Sequence, residues 1–162
     1  MKLNLNSIIL CGVYAVTLLS LLWIPRGRGR EAQFIFLCQG MMTWILGLLA
    51  VEFGWIAYPA RELQKATHTS FAFEFLVFPV LSIFFTLFYP ANKSLLLKGV
   101  YTLAFGVGVC IPEVILETYT ELVKYNQWRW YWTLFSVMVT LQLCRGIYLW
   151  FFRVSPARIG EG

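Results

Sequence analysis

Apolar residues run through this chain in long blocks, and the polar breaks between them are short. A helix needs about 20 mostly apolar residues to cross a bilayer, and five windows meet that need: approximately 7–24, 32–58, 71–89, 95–118 and 130–152. The second is longer than one crossing requires. Pro25, Pro59, Pro90 and Pro156 stand at or just beyond the ends of these runs, where a helix stops without losing an internal hydrogen bond. Only Pro79 and Pro112 lie inside. The pattern predicts an all-α fold, an integral membrane bundle of five transmembrane helices with short loops. Neighbouring helices run antiparallel, and residues 1–162 form a single transmembrane domain with no room for a separate soluble one.

Composition agrees. Only 13% of residues are charged, against about a quarter in a soluble domain, so the chain lacks the polar surface to cover itself. The expected partner is the lipid bilayer, with a second copy or another membrane protein as a compatible neighbour. The net charge of +5 comes from residues scattered between apolar runs, with no basic stripe for nucleic acid. The first block follows Lys2 as a secretory signal would. It lacks a small-x-small cleavage site, and RGRGR follows it, so it reads as a retained first helix. Cys11, Cys38, Cys110 and Cys144 each fall in an apolar run without C-x-x-C spacing and read as inert buried thiols.

Orientation follows from Lys and Arg in the short loops. With the N-terminus out, Arg26, Arg28, Arg30, Lys93, Lys98, Arg153 and Arg158 lie inside, and Lys2, Arg61, Lys65, Lys124 and Arg129 outside. The cluster after the first helix decides for N-terminus out and C-terminus in. WRWYW at 128–132 reads as an aromatic belt at the membrane surface. Gly40, Gly47 and Gly54 recur every seven residues, and Thr102, Gly106 and Cys110 every four. Both stripes predict close helix packing.

Charges at membrane depth carry the functional signal, because each costs about 2.5–3.5 kcal/mol at a helix centre on insertion scales. Glu52, Glu74, Glu113 and Glu117 all fall toward the outer ends of their helices, so antiparallel packing gathers them. Glu113, Glu117 and Glu121 share one helix face, and such a row repels itself unless cations or shared protons intervene. The available counter-charges are Arg129, Lys124, Arg61 and the lone His68. Pro112 leaves the Gly108 carbonyl without its helical donor, and Pro79 does the same for Phe75. Pro112, Gly108 and Pro79 are therefore the expected kinks, each beside a Glu. Free carbonyls beside carboxylates build cation sites in transporters; the same residues also serve as a polar cluster that only holds helices together. Arg145, late in the fifth run, is expected to snorkel to the inner face.

Catalysis finds little support. The chain has one His and no Asp, its Ser and Cys residues have no evident base, and neither H-E-x-x-H nor any other metal-ligand or cofactor pattern occurs. The segments FAFEFLVFP (71–79) and PEVILETYTELVKYNQWRWYWT (112–133) resemble a family of small multi-pass membrane proteins from bacilli and other endospore-forming Firmicutes. The resemblance covers most of residues 30–152. It implies a bacterial plasma-membrane protein and carries no activity to any residue. The expectation is thus a structural or accessory membrane component. The alternative is a small channel or carrier with a proton or cation site at Glu113, Glu117, Glu74 and Glu52.

Overall fold

The computed structural model describes residues 5–60 and 65–153, and most of them are helical. Helix α1 (Leu5–Ser20) runs into a 3-10 turn, Leu21–Trp23, and α2 spans Gly29–Glu52. A π turn, Phe73–Val77, leads into α3 (Phe78–Leu87), followed by α4 (Leu95–Tyr119) and α5 (Trp130–Phe152). Two short strands, β1 (Ile56–Ala57) and β2 (Lys124–Tyr125), pair antiparallel.

Four of these segments, Asn6–Trp23, Gly29–Glu52, Leu95–Tyr119 and Trp130–Phe152, are long and apolar enough to cross a membrane. The pattern predicts five. The third run, Phe73–Leu87, has 15 residues and at 1.5 Å per residue is about 22 Å long, short of a hydrocarbon core of about 30 Å. Its start is delayed by polar residues: the Thr67 hydroxyl accepts the Thr69 N–H at 3.1 Å, a local turn that competes with helix. The run is nonetheless the inner element. Pro79, Val80, Ser82, Ile83, Phe85, Thr86 and Leu87 of α3 are all buried, whereas no described side chain of α1 is.

The second run also departs from expectation. It stops as helix at Glu52 instead of reaching residue 58, because Gly54 takes φ +69°, a conformation that disfavours side chains. Gly54 N–H donates to Val51 O and Trp55 N–H to Ala50 O, the pair of hydrogen bonds of a Schellman cap. Gly54 therefore ends the helix and does not extend the packing stripe. The chain then turns into β1, and Trp55 O accepts N–H groups from Asn126, Gln127 and Trp128. The ribbon so formed ties the end of α2 to the start of α5.

The other small residues do pack helices. A Cβ on Gly106 would stand 2.8 Å from Leu134 and 3.0 Å from Met138 of α5, and one on Gly40 would touch Pro79 at 3.4 Å. At the far end Arg28 donates to Glu31 at 2.9 Å and to the Leu87 carbonyl at 3.4 Å. The Tyr148 hydroxyl donates to the same Glu31 oxygen. One arginine of RGRGR thus joins α2, α3 and α5. Arg145 does not extend away from the fold, for its guanidinium lies 3.7 Å from the Tyr89 ring centre. Cys110 and Cys144 are buried, while Cys38 is half-buried and Cys11 exposed, a correction to the expectation for the last. Helix α1 packs too sparsely to cover it.

Candidate functional site

The ends of α2, α4 and α5 that carry the ribbon also carry the acidic residues. Glu113 sits one residue past Pro112, and α4 continues through that proline without a break. Its Oε1 accepts the Tyr125 hydroxyl at 2.8 Å and the Thr133 hydroxyl at 3.0 Å. The Trp128 indole N–H in turn donates to Thr133 Oγ1 at 2.8 Å. One carboxylate oxygen therefore joins α4, the ribbon and the first turn of α5, and the indole behind Thr133 orients that hydroxyl toward it. Burial, and then the Glu113 carboxylate, push the Tyr125 phenol up from its ordinary value. Tyr125 stays neutral and remains a donor.

Glu74 is held differently. It is 2% exposed, and although the Thr69 hydroxyl approaches it, neither carboxylate oxygen is within hydrogen-bond geometry of a partner among the described residues. Its head rests on bare backbone of α2. A Cβ on Gly47 would overlap the Glu74 carboxylate, so glycine leaves the room in which that head group lies. The π turn aims the side chain. Phe78 N–H donates to Phe73 O, five residues back, which moves the hydrogen-bond register by one residue. In that register the acceptor orphaned by Pro79 is the Glu74 carbonyl, not that of Phe75. The Thr43 hydroxyl supplies the missing donor at 2.7 Å.

Two adjoining cavities meet at Tyr58. The larger, about 340 Å³, is walled by Gly47, Phe53, Trp55, Phe78 and Trp128, with Glu74 and Thr133 among its few polar groups. The smaller, about 100 Å³, is lined by Gly108, Pro112 and Glu113. Tyr58 and Phe78 border both. Tyr58 is buried, and burial together with the charges of Glu74 and Glu113 holds its phenol well above its ordinary value. The phenol is thus a neutral divider between two carboxylates.

Of the four acidic residues read from the sequence, the fold brings Glu74 and Glu113 to the cavities. Glu117 is half-buried on the same helix as Glu113, and Glu52 is exposed at the end of α2. Among the proposed counter-charges Lys124, Arg129 and His68 are exposed, and Arg61 lies outside the described residues. Neither Lys124 nor Arg129 forms an ion pair with these carboxylates; the pair that the described residues form, Arg28–Glu31, stands at the other end. No group of three or more His, Cys, Asp or Glu side chains among the described residues is placed to hold a metal ion.

Tyr58, Tyr125, Thr133 and Thr43 are the site residues that sequence reasoning passes over. Thr43 and Gly47 stand one helical turn apart on α2, a legible sign that this face meets something polar. The tyrosines gave no such sign, because their roles depend on the ribbon. No family model matches the chain, and no curated protein or solved structure shows detectable similarity to it.

Proposed function

We propose that this chain is a multi-pass protein of a bacterial plasma membrane whose helices bundle around the short α3 and offer a proton- or cation-accepting cavity at Glu74. Large apolar side chains cover the outward faces of α1, α4 and α5, among them Leu19, Leu95, Leu96, Phe135 and Trp150, as a lipid-facing surface requires. An enclosed helix need not match the bilayer thickness, which suits the length of α3. With the basic loop at 26–30 inside, the cavity lies toward the outer surface.

The observation that carries this reading is a buried carboxylate, approached by Thr69 but without a hydrogen bond or ion pair among the described residues, on the wall of a 340 Å³ cavity. A group that only fixed the helices together would have its oxygens engaged by them. Glu113 comes closer to that description, because Tyr125 and Thr133 both donate to its Oε1. The acidic pair therefore divides into a binding group, Glu74, and a structural one, Glu113, so the accessory-component reading keeps its support at the second residue.

The test is proton and monovalent-cation flux in proteoliposomes. Wild type and Glu113→Gln, which retains the acceptor oxygen, should both conduct, whereas Glu74→Gln should fall to the level of empty liposomes. Equal flux in wild type and Glu74→Gln would remove the proposal.

A further inference from the structure

Resting on the reading of Glu74 as a cation-accepting group, we infer that the larger cavity takes an organic ammonium ion, a single positive charge on an apolar body, in preference to an inorganic cation. Size, wall chemistry and the scarcity of oxygens gathered around Glu74 among the described residues all point this way.

At about 340 Å³ the cavity falls within the range of about 300–1,000 Å³ typical of small-molecule sites. A bare proton needs no such space. An inorganic cation entering it would lose its water, and hard cations require several oxygens in exchange. Glu74 supplies two. The hydroxyls of Thr43, Ser136 and Thr140 are oriented by donating to protein carbonyls and the Thr133 oxygen already accepts from the Trp128 indole, so these wall oxygens are not arranged as a shell around a cation at Glu74. The rest is hydrocarbon and aromatic surface.

That surface suits an alkyl- or arylammonium. Trp55 and Trp128 stand side by side with ring centres 5.9 Å apart and border the same cavity as Glu74. Indole faces attract cations, and the aliphatic wall buries the apolar body. The carboxylate then has a counter-charge brought by the ligand, which the described part of the chain does not provide.

Binding is measured on the full chain in lipid nanodiscs by titration calorimetry and tryptophan fluorescence, with benzyltrimethylammonium as probe. Sodium and potassium chloride and the uncharged isostere neopentylbenzene serve as comparisons. Wild type should bind the ammonium saturably, at one per chain, and at least about tenfold more tightly than the isostere. Glu74→Gln should lose at least about tenfold in affinity, and Trp55→Leu several-fold; Trp55 engages the ribbon through its backbone carbonyl, so its side chain can be changed without breaking those bonds. The comparison of the two probes needs no variant and stands even if Glu74→Gln fails to fold. Equal affinity for the isostere would make the cavity a site for neutral hydrocarbon, and unchanged affinity in Glu74→Gln would remove Glu74 from the binding; either result overturns the inference. Glu74-dependent proton or alkali-cation flux without ammonium binding would overturn the inference alone. Absence of both would overturn the reading on which it rests.

Discussion

Glu113→Leu lowers the stability of the protein by about 2 kcal/mol, whereas Glu113→Gln costs well under half of that. Leucine fills the volume but accepts nothing, leaving the Tyr125 and Thr133 hydroxyls without their acceptor. A stranded buried donor costs about 1–3 kcal/mol in a soluble protein, while hydrogen bonds between membrane helices average about 0.6 kcal/mol. Two donors, with Trp128 relying on one of them, give the intermediate figure. Replacing a charge by an apolar residue acts in the opposite direction by up to about 3 kcal/mol at a helix centre. Glu113 is within two turns of the end of α4, where that gain is smaller, so the lost bonds dominate. Unfolding in mixed micelles, followed by helical circular dichroism, provides the comparison. A Glu113→Leu protein as stable as wild type would show that the contacts of Glu113 do not hold α4 to the ribbon and α5.

Gly47→Ala has the second large effect, and its size depends on the residue at position 74. The added methyl would overlap Glu74 Oε1, which moves either the carboxylate or the helix. Overpacking of this kind costs about 1–3 kcal/mol. The carboxylate is the movable part, so Gly47→Ala should also abolish Glu74-dependent flux. In a Glu74→Ala background the methyl meets empty space, and the same substitution should be neutral or slightly stabilising, since alanine favours helix by about 1 kcal/mol over glycine. The two costs are therefore coupled by about 1–3 kcal/mol. Additive effects in the double-mutant cycle would mean that Gly47 does not shape the space for Glu74.

Much of the helical layout is legible because it depends on local composition. An apolar block excludes water whatever it touches, and α4 and α5 begin and end within a residue of the predicted bounds. The exceptions follow from longer-range partners. The helical end of α2 and the role of Gly54 depend on a cap and a ribbon whose other strand lies some 70 residues away, and no periodicity in 53–58 announces it. The shortness of α3 is tolerable because other helices surround it, which hydropathy cannot express. The site divides in the same way. Spacing and antiparallel packing anticipate that Glu74 and Glu113 come to one end of the fold. That one is hydrogen-bonded and the other bare depends on Tyr125, Thr133 and Gly47, none of which is its sequence neighbour.

Carbodiimide labelling tests the assignment of Glu74 most directly. Dicyclohexylcarbodiimide partitions into apolar regions and modifies carboxyl groups that are protonated there, and mass spectrometry of the digested protein identifies each adduct. If Glu74 is the accepting group, it carries the adduct, benzyltrimethylammonium or excess alkali cation protects it, and Glu113, engaged by Tyr125 and Thr133, reacts more slowly. Modification of Glu113 with Glu74 untouched, or labelling of Glu74 that no cation slows, would contradict it.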